Sequence, residues 1–217
     1  MEGALKVDSR SFGIPTRKLE SITLPSAGGA SFGCIGSTRS GKSTAMIWLW
    51  ERYFSRHITI MTTGSAQAEI YGPLRKTCAI CPDFYPELIK ETMTLNQKTK
   101  NHYPFLHILD DMLDGKNTKA LSKLLSIGRN NGQSVIICAQ ELSILNAIGR
   151  TNLNYILCFR LNSDMAVEKV VRNWLRHVLP GRTIEEKCAQ YKLLTADHHF
   201  LCVDTLMNEV FHCKLDV

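Results

Sequence analysis

An α/β fold built on a mostly parallel sheet is the architecture the sequence predicts, and three observations predict it. A glycine-bounded loop, residues 36–44, lies between a short apolar run and a helical stretch. A second apolar run, residues 105–110, ends in paired carboxylates. Around these, short β-branched runs alternate with segments of helical periodicity, the pattern of strands joined by crossover helices.

The chain has 217 residues, enough for one sizeable core that buries roughly 70% of its unfolded surface. We expect residues 1–29 to be an N-terminal strap and 30–217 a single domain, with its core at 30–165 and C-terminal helices and a hairpin at 166–217. In the strap, Pro15 and Pro25 punctuate an irregular path. Residues 19–24 have the pattern of an edge strand, and Arg17 and Lys18 read as a solvated face.

Residues 31–35 are a short buried strand, and residues 45–54 a helix that is apolar nearly all round. Strand candidates follow at 57–62 and 77–81, with a weak helix at 66–74 between them. Residues 85–101 hold a helix ending in an Asn/Gln/Lys-rich surface loop at 96–101. After the strand at 105–110 come a helix at 119–128, a break at Gly128-Arg129-Asn-Asn-Gly132, and strands at 134–140 and 155–160. Ser163 or Asp164 caps a helix with Val167, Val170, Val171, Trp174, Leu175 and Val178 on one face and Lys169, Arg172 and Arg176 on another. That basic stripe reads first as a solvated face. Thr183-Ile-Glu-Glu186 fits a capping box, and alternating runs at 199–204 and 209–214 form a closing hairpin.

Gly36-Ser37-Thr38-Arg39-Ser40-Gly41-Lys42-Ser43-Thr44 matches the phosphate-binding pattern G-x-x-x-x-G-K-[ST] in full, with strand before and helix after. Glycines at both ends let the backbone curl so that its N–H groups face a polyphosphate, and the helix N-terminus adds partial positive charge. Lys42 is placed to reach β- and γ-phosphates, and the Ser43 hydroxyl to take one Mg²⁺ position. The expected cofactors are therefore ATP and Mg²⁺. The strand ending in Asp110 and Asp111 delivers acids to the sheet edge where ligands bind in open α/β folds. Asp110 is the metal-side acid, and Asp111 the group that orients or polarises the attacking water. Gln140, an amide at the end of a buried strand, can touch both the γ-phosphate and that water.

The net charge of +6 suits a polyanionic partner without demanding one. Among the eight cysteines, Cys34, Cys138, Cys158 and Cys202 fall in apolar strand-like runs, where Cys acts as a small hydrophobe. Cys78 and Cys81 form a C-x-x-C with no second pair at zinc spacing, and His198-His199 lacks a neighbouring acid or Cys to complete a metal site. There is no secretory signal and no apolar run near the roughly 18 residues of a membrane span, so an intracellular setting is expected.

The order of features from Asp110 to Asp164 is more specific than any one of them. An apolar strand ending Asp-Asp, Asp114 shortly after, Gly-Arg129-x-x-Gly, a strand ending Ala139-Gln140, Asn154, then Phe159-Arg160-x-x-Ser163 together resemble the FtsK/HerA superfamily of DNA-pumping ATPases. Within it the segment resembles the genome-packaging ATPases of poxviruses, other large DNA viruses and virophages, over roughly residues 30–165. The resemblance implies a RecA-like (ASCE) P-loop NTPase that assembles as a homo-oligomeric ring, pentamer or hexamer, around double-stranded DNA. It also implies ATP at subunit interfaces, a capsid vertex protein as a further partner, and work in the host cytoplasm, at the viral assembly site or in the virion. An arginine reaching the neighbour's γ-phosphate is implied too, with Arg129 the first choice and Arg160 the second. Two departures stand out: Asp111 replaces the glutamate usual in the wider class, and Asn130 replaces a histidine usual in the viral group.

The function expected is ATP-driven packaging of viral double-stranded DNA into a capsid. The alternatives are a cellular DNA-pumping ATPase of the same superfamily and a small-molecule P-loop kinase. Against the kinase stands the lack of an arginine-rich lid after Asp111, and against a GTP switch the lack of an Asn-Lys-x-Asp element.

Overall fold

Eight strands form one sheet in the order β3-β2-β4-β5-β1-β6-β7-β8. The computed structural model describes residues 13–111, 118–141, 145 and 147–215. The strands are β1 Ser31–Ile35, β2 Ile58–Thr63, β3 Ala79–Cys81, β4 Phe105–Asp110, β5 Gln133–Ala139, β6 Tyr155–Cys158, β7 His199–Asp204 and β8 Glu209–Lys214. The first six run parallel, and β7 and β8 close the sheet as an antiparallel hairpin. The helices are α1 Lys42–Leu49, α2 Gly72–Arg75, α3 Pro86–Lys98, α4 Thr118–Ile127, α5 Ala147–Thr151, α6 Asp164–Val170 and α7 Ile184–Leu194. α1 and α6 each run on into a π-turn, Trp50–Phe54 and Val171–Leu175.

Apolar residues along the central strands alternate between the two faces, as a period of two requires. On β5, Val135, Ile137 and Ala139 join a core with α4, α6 and α7, whereas Ile136 and Cys138 join the core under α1. Both faces are covered, which is why β1, β4 and β5 read as unbroken apolar runs. Cys34, Cys138, Cys158 and Cys202 are buried in β1, β5, β6 and β7 as free thiols, filling space as expected.

Three expectations need correction. Residues 19–24 form no strand: Leu19–Ser21 is a 3₁₀ turn whose Leu19, with Ile22 after it, drops into the α1-side core. The sheet edge is met earlier, where His212 of β8 donates to Pro15 O and accepts from Arg17 N. Proline has no N–H, so Pro15 can offer only its carbonyl to the edge. Arg17 is no idle solvated charge either, since it pairs with Glu209 at 2.5 Å and lies over the Phe211 ring. Nor is 96–101 purely a surface loop. Asn96 is fully buried on α3 and donates to Tyr103 O and Asn131 O, tying the helix to the segment that carries Arg129.

The C-terminal part follows its sequence closely. Ser163 caps α6 by accepting from Ala166 N, and Thr183 and Glu186 complete the capping box of α7. Of the basic stripe, Lys169 pairs with Glu141 and Arg172 with Glu168 at 2.7 Å.

Candidate nucleotide site

The phosphate loop leaves the carboxyl end of β1 and enters α1 at Gly41, whose φ of +103° only glycine adopts without strain. At the other end of the loop a Cβ on Gly36 would sit 2.4 Å from Ser40 Oγ and 2.7 Å from Phe159 Cβ, so a side chain there would force the loop open. The loop is strapped to the exit of β6. Ser37 N donates to Arg160 O at 2.9 Å, and Ser37 Oγ accepts from Asn162 N at 2.8 Å. Tyr191 of α7 donates to Phe159 O, fixing the residue that packs beneath the loop.

Lys42 is buried, with Nζ donating to Gly36 O at 2.8 Å and Ser37 O at 3.0 Å. The ammonium thus lies across the mouth of its own loop, held by carbonyls that a phosphate oxygen can replace. Ser43 Oγ is 3.3 Å from Asp110 Oδ2, so the first residue pair expected at a Mg²⁺ site is together. Asp110 is 2% exposed, and burial pushes its carboxyl pKa up, opposed by a hydrogen bond from Tyr71. Its Oδ1 is buried with no hydrogen-bond partner among the described residues. A buried carboxylate with one oxygen unsatisfied, next to a serine hydroxyl, fits a hard divalent cation that takes one or two carboxylates and keeps its waters.

Register places the remaining groups at the same edge. Ile35 pairs with Ala139 and Asp110 with Cys138, so Gly36, Asp111 and Gln140 follow side by side at the carboxyl ends of β1, β4 and β5. Gly36 N donates to Ala139 O at 3.2 Å and Asp111 N to Cys138 O at 3.1 Å. Asp111 and Gln140 are exposed at this edge, and Asp111 has a left-handed φ of +53°, a conformation Asp tolerates better than most residues. β5 lies between the strand of the phosphate loop and the strand of the acids, so its end reaches the space between them.

The two arginines part company. Arg160 is exposed beside Ser37, at the nucleotide edge. Arg129 precedes β5 and therefore lies at the opposite edge, about 20 Å away by the rise of a seven-residue strand. Its backbone is firmly held: Gly29 N donates to Arg129 O at 3.0 Å, and Asn96 and Asn101 donate to the neighbouring Asn131 O and Asn130 O. Asp114 lies outside the described residues.

Sequence reasoning missed Tyr71. The residue closes the 3₁₀ turn Glu69–Tyr71 after β2, and its hydroxyl donates a short hydrogen bond to Asp110 Oδ2. Nothing in residues 66–74 marks it, since a Tyr before Gly-Pro is ordinary loop chemistry. Only the fold of the β2–β3 connection over the acid end of β4 brings it in. The C-x-x-C and the His198-His199 pair gather nothing: no cluster of three metal-ligating side chains occurs among the described residues.

Residues 83–178 match the family model described as "Poxvirus A32 protein". The chain resembles the poxvirus packaging ATPases. That match starts well after the phosphate loop and includes Asp110, Asp111, Arg129, Gln140 and Arg160, so the two signals come from different parts of the chain. It reaches beyond residue 165 into α6 and its π-turn, further than the motif order alone indicated. Among solved structures, the genome packaging NTPase B204 from Sulfolobus turreted icosahedral virus 2, in complex with ATP-gammaS, superposes with a TM-score of 0.58 at 15% identity. The likeness covers 87% of this chain and 98% of that one. The pCW3 conjugation coupling protein TcpA gives 0.63 at 16%, covering 85% of this chain and 59% of that one. EssC from Geobacillus thermodenitrificans gives 0.59 at 16%, covering 85% and 39%. At such identities the likeness establishes the fold, that of a P-loop NTPase with a mostly parallel sheet. A search of curated proteins finds no match. No helix among the described residues is long and apolar enough to cross a membrane.

Proposed function

We propose that this protein is an ATPase that packages viral double-stranded DNA into a capsid, working as a homo-oligomeric ring with nucleotide between subunits. The observation that carries the reading is the convergence, at one sheet edge, of a buried Lys42, the Ser43–Asp110 pair with its open Oδ1, and exposed Asp111 and Gln140. The family match over residues 83–178 and the likeness to B204 support the packaging role.

The phosphates of ATP replace Gly36 O and Ser37 O as partners of Lys42, while the loop N–H groups and the start of α1 hold the β-phosphate. Ser43 and Asp110 would hold Mg²⁺, which neutralises charge on the β- and γ-phosphate oxygens when bound. Asp111 orients the attacking water and accepts its proton, and Gln140 contacts that water and the γ-phosphate. Hydrolysis is mainly positioning plus electrostatic stabilisation, so a cation aimed at the γ-phosphate adds much of the remaining rate. Arg129 is too far from its own loop to supply it and serves the neighbour's nucleotide, with Arg160 flanking its own. DNA is gripped through phosphate contacts from Lys and Arg, without reading sequence.

The test is ATP turnover with and without long duplex DNA at low salt. Duplex DNA should stimulate turnover several-fold, and the stimulation should collapse between about 50 and 200 mM salt as counterion release dictates. Turnover indifferent to DNA, or transfer of phosphate to a nucleoside instead of water, overturns the proposal.

A further inference from the structure

The two oxygens of Asp110 are not equivalent. Oδ2 accepts from Tyr71 and lies 3.3 Å from Ser43 Oγ, whereas Oδ1 is buried and unpartnered. Both side-chain hydrogen bonds to the carboxylate fall on Oδ2.

Tyr71 is built to hold that asymmetry. It is 4% exposed, its ring packs in the α1-side core, and its N–H is bonded to Ala68 O at 3.1 Å, so the hydroxyl has little freedom to follow a moving carboxylate. Thr63, the residue paired with Asp110 across β2 and β4, is buried on the same side and bonded to Ser65 N at 3.2 Å, which fixes the start of the connection that carries Tyr71. Three elements, the end of β2, the start of α1 and the turn Glu69–Tyr71, thus converge on one carboxylate.

We infer that Tyr71 is a positioning residue for the metal of ATP hydrolysis: its hydroxyl pins Asp110 by Oδ2 and leaves Oδ1 free for the cation. The inference rests on the reading of Ser43 and Asp110 as the Mg²⁺ site. Partners that orient a metal-binding carboxylate are typically worth 10- to 100-fold in metal affinity, and Tyr71 should fall in that range.

The experiment compares the full chain with its Tyr71→Phe variant, which keeps the ring and removes only the hydroxyl. Mn²⁺ is titrated by electron paramagnetic resonance in the presence of ATP-gammaS, alongside metal-free ATP-gammaS binding and a thermal melt. The expected result is metal-free nucleotide binding within two-fold of wild type and Mn²⁺ affinity lowered about ten-fold or more. In turnover, the Mg²⁺ concentration for half-maximal rate should rise by the same factor, while the rate at saturating Mg²⁺ recovers most of the wild-type value. Unchanged Mn²⁺ affinity with a lowered melting temperature overturns the inference, because Tyr71 is then only a packing residue. Tighter Mn²⁺ binding overturns it as well, since the hydroxyl would then compete with the cation. A wild-type protein that binds nucleotide but no Mn²⁺ removes the metal reading of Ser43 and Asp110, and Tyr71's role falls with it.

Discussion

Arg129 offers the sharpest test of how the site is completed. The segment before β5 lies at the sheet edge opposite the phosphate loop, and the length of the strand separates the two by about 20 Å. No side chain spans that distance, so a direct contact between Arg129 and a γ-phosphate, as proposed, has to be made across a subunit boundary. Arg129→Ala should bind ATP normally and lose 10³-fold or more in turnover, the usual worth of such an arginine. Lys42→Ala should lose turnover through its own site. If every site takes Lys42 from one subunit and Arg129 from the next, an equal mixture places an intact pair at half of one half of the interfaces. Turnover should then recover to about a quarter of wild type in a head-to-tail ring. The assay is steady-state phosphate release on the separate and re-assembled variants with duplex DNA present. A mixture as inert as its components refutes the argument, as does Arg129→Ala turning over ATP at the wild-type rate by itself.

Two further predictions concern the scaffold behind this arginine. Gly29→Ala should cost about 3 kcal/mol or more, because its Cβ would lie 1.8 Å from Gln133 O, a backbone atom that cannot swing away. With roughly 2–4 °C per kcal/mol for a chain of this size, calorimetry should find a melting temperature about 10 °C lower, and an unchanged value would count against the close approach. His107 is held below the ordinary imidazole value by burial, with Nε2 donating to Gln133 Oε1 at 2.9 Å. Its folded pKa lies under the unfolded value of about 6.5, so its contribution is complete above that pH. As pH falls from there toward the folded value, the unfolded chain takes up a proton that the native state refuses. Stability should therefore drop with a slope of up to about 1.4 kcal/mol per pH unit from this residue. Urea midpoints at pH 7.5 and 5.5 should fall further apart for wild type than for His107→Gln; an equal gap would remove His107 as the cause. His57 and His212 are lowered by burial too, so the substitution should blunt the decline and not abolish it.

What the sequence made legible was whatever has a local signature. The phosphate loop is a consecutive run in which Gly36, Gly41, Lys42 and Ser43 are the residues one ligand calls for, and β1, β4 and β5 are apolar because both faces of a parallel sheet are covered. The hairpin of β7 and β8 could be bounded to the residue because alternation and turn coincide. Residues 19–24 misled because apolar Leu19, Ile22 and Leu24 suit a strap over a core as well as an edge strand, and the pairing edge was decided by Pro15 and His212, far apart in sequence. Asn96 misled because a polar tract reads as solvent-facing unless its partners are known, and its partners, Tyr103 O and Asn131 O, are backbone atoms that no pattern reveals.

Tyr71 and Arg129 mark two sides of this limit. Arg129 was singled out by its place in an ordered series of motifs, yet that order is silent about distance, and the fold sets the residue at the far edge. Tyr71 has no motif and was invisible, yet the fold sets it on the buried acid. Both follow from one feature of a parallel sheet: the carboxyl edge collects the loops that follow the strands, whereas the segments that precede them belong to the other side. A group that precedes a strand starts at the edge away from the nucleotide site, and a group that follows one starts beside it. By that rule the role proposed for Tyr71, which follows β2, belongs to its own chain, and the role proposed for Arg129, which precedes β5, belongs to a neighbour's site.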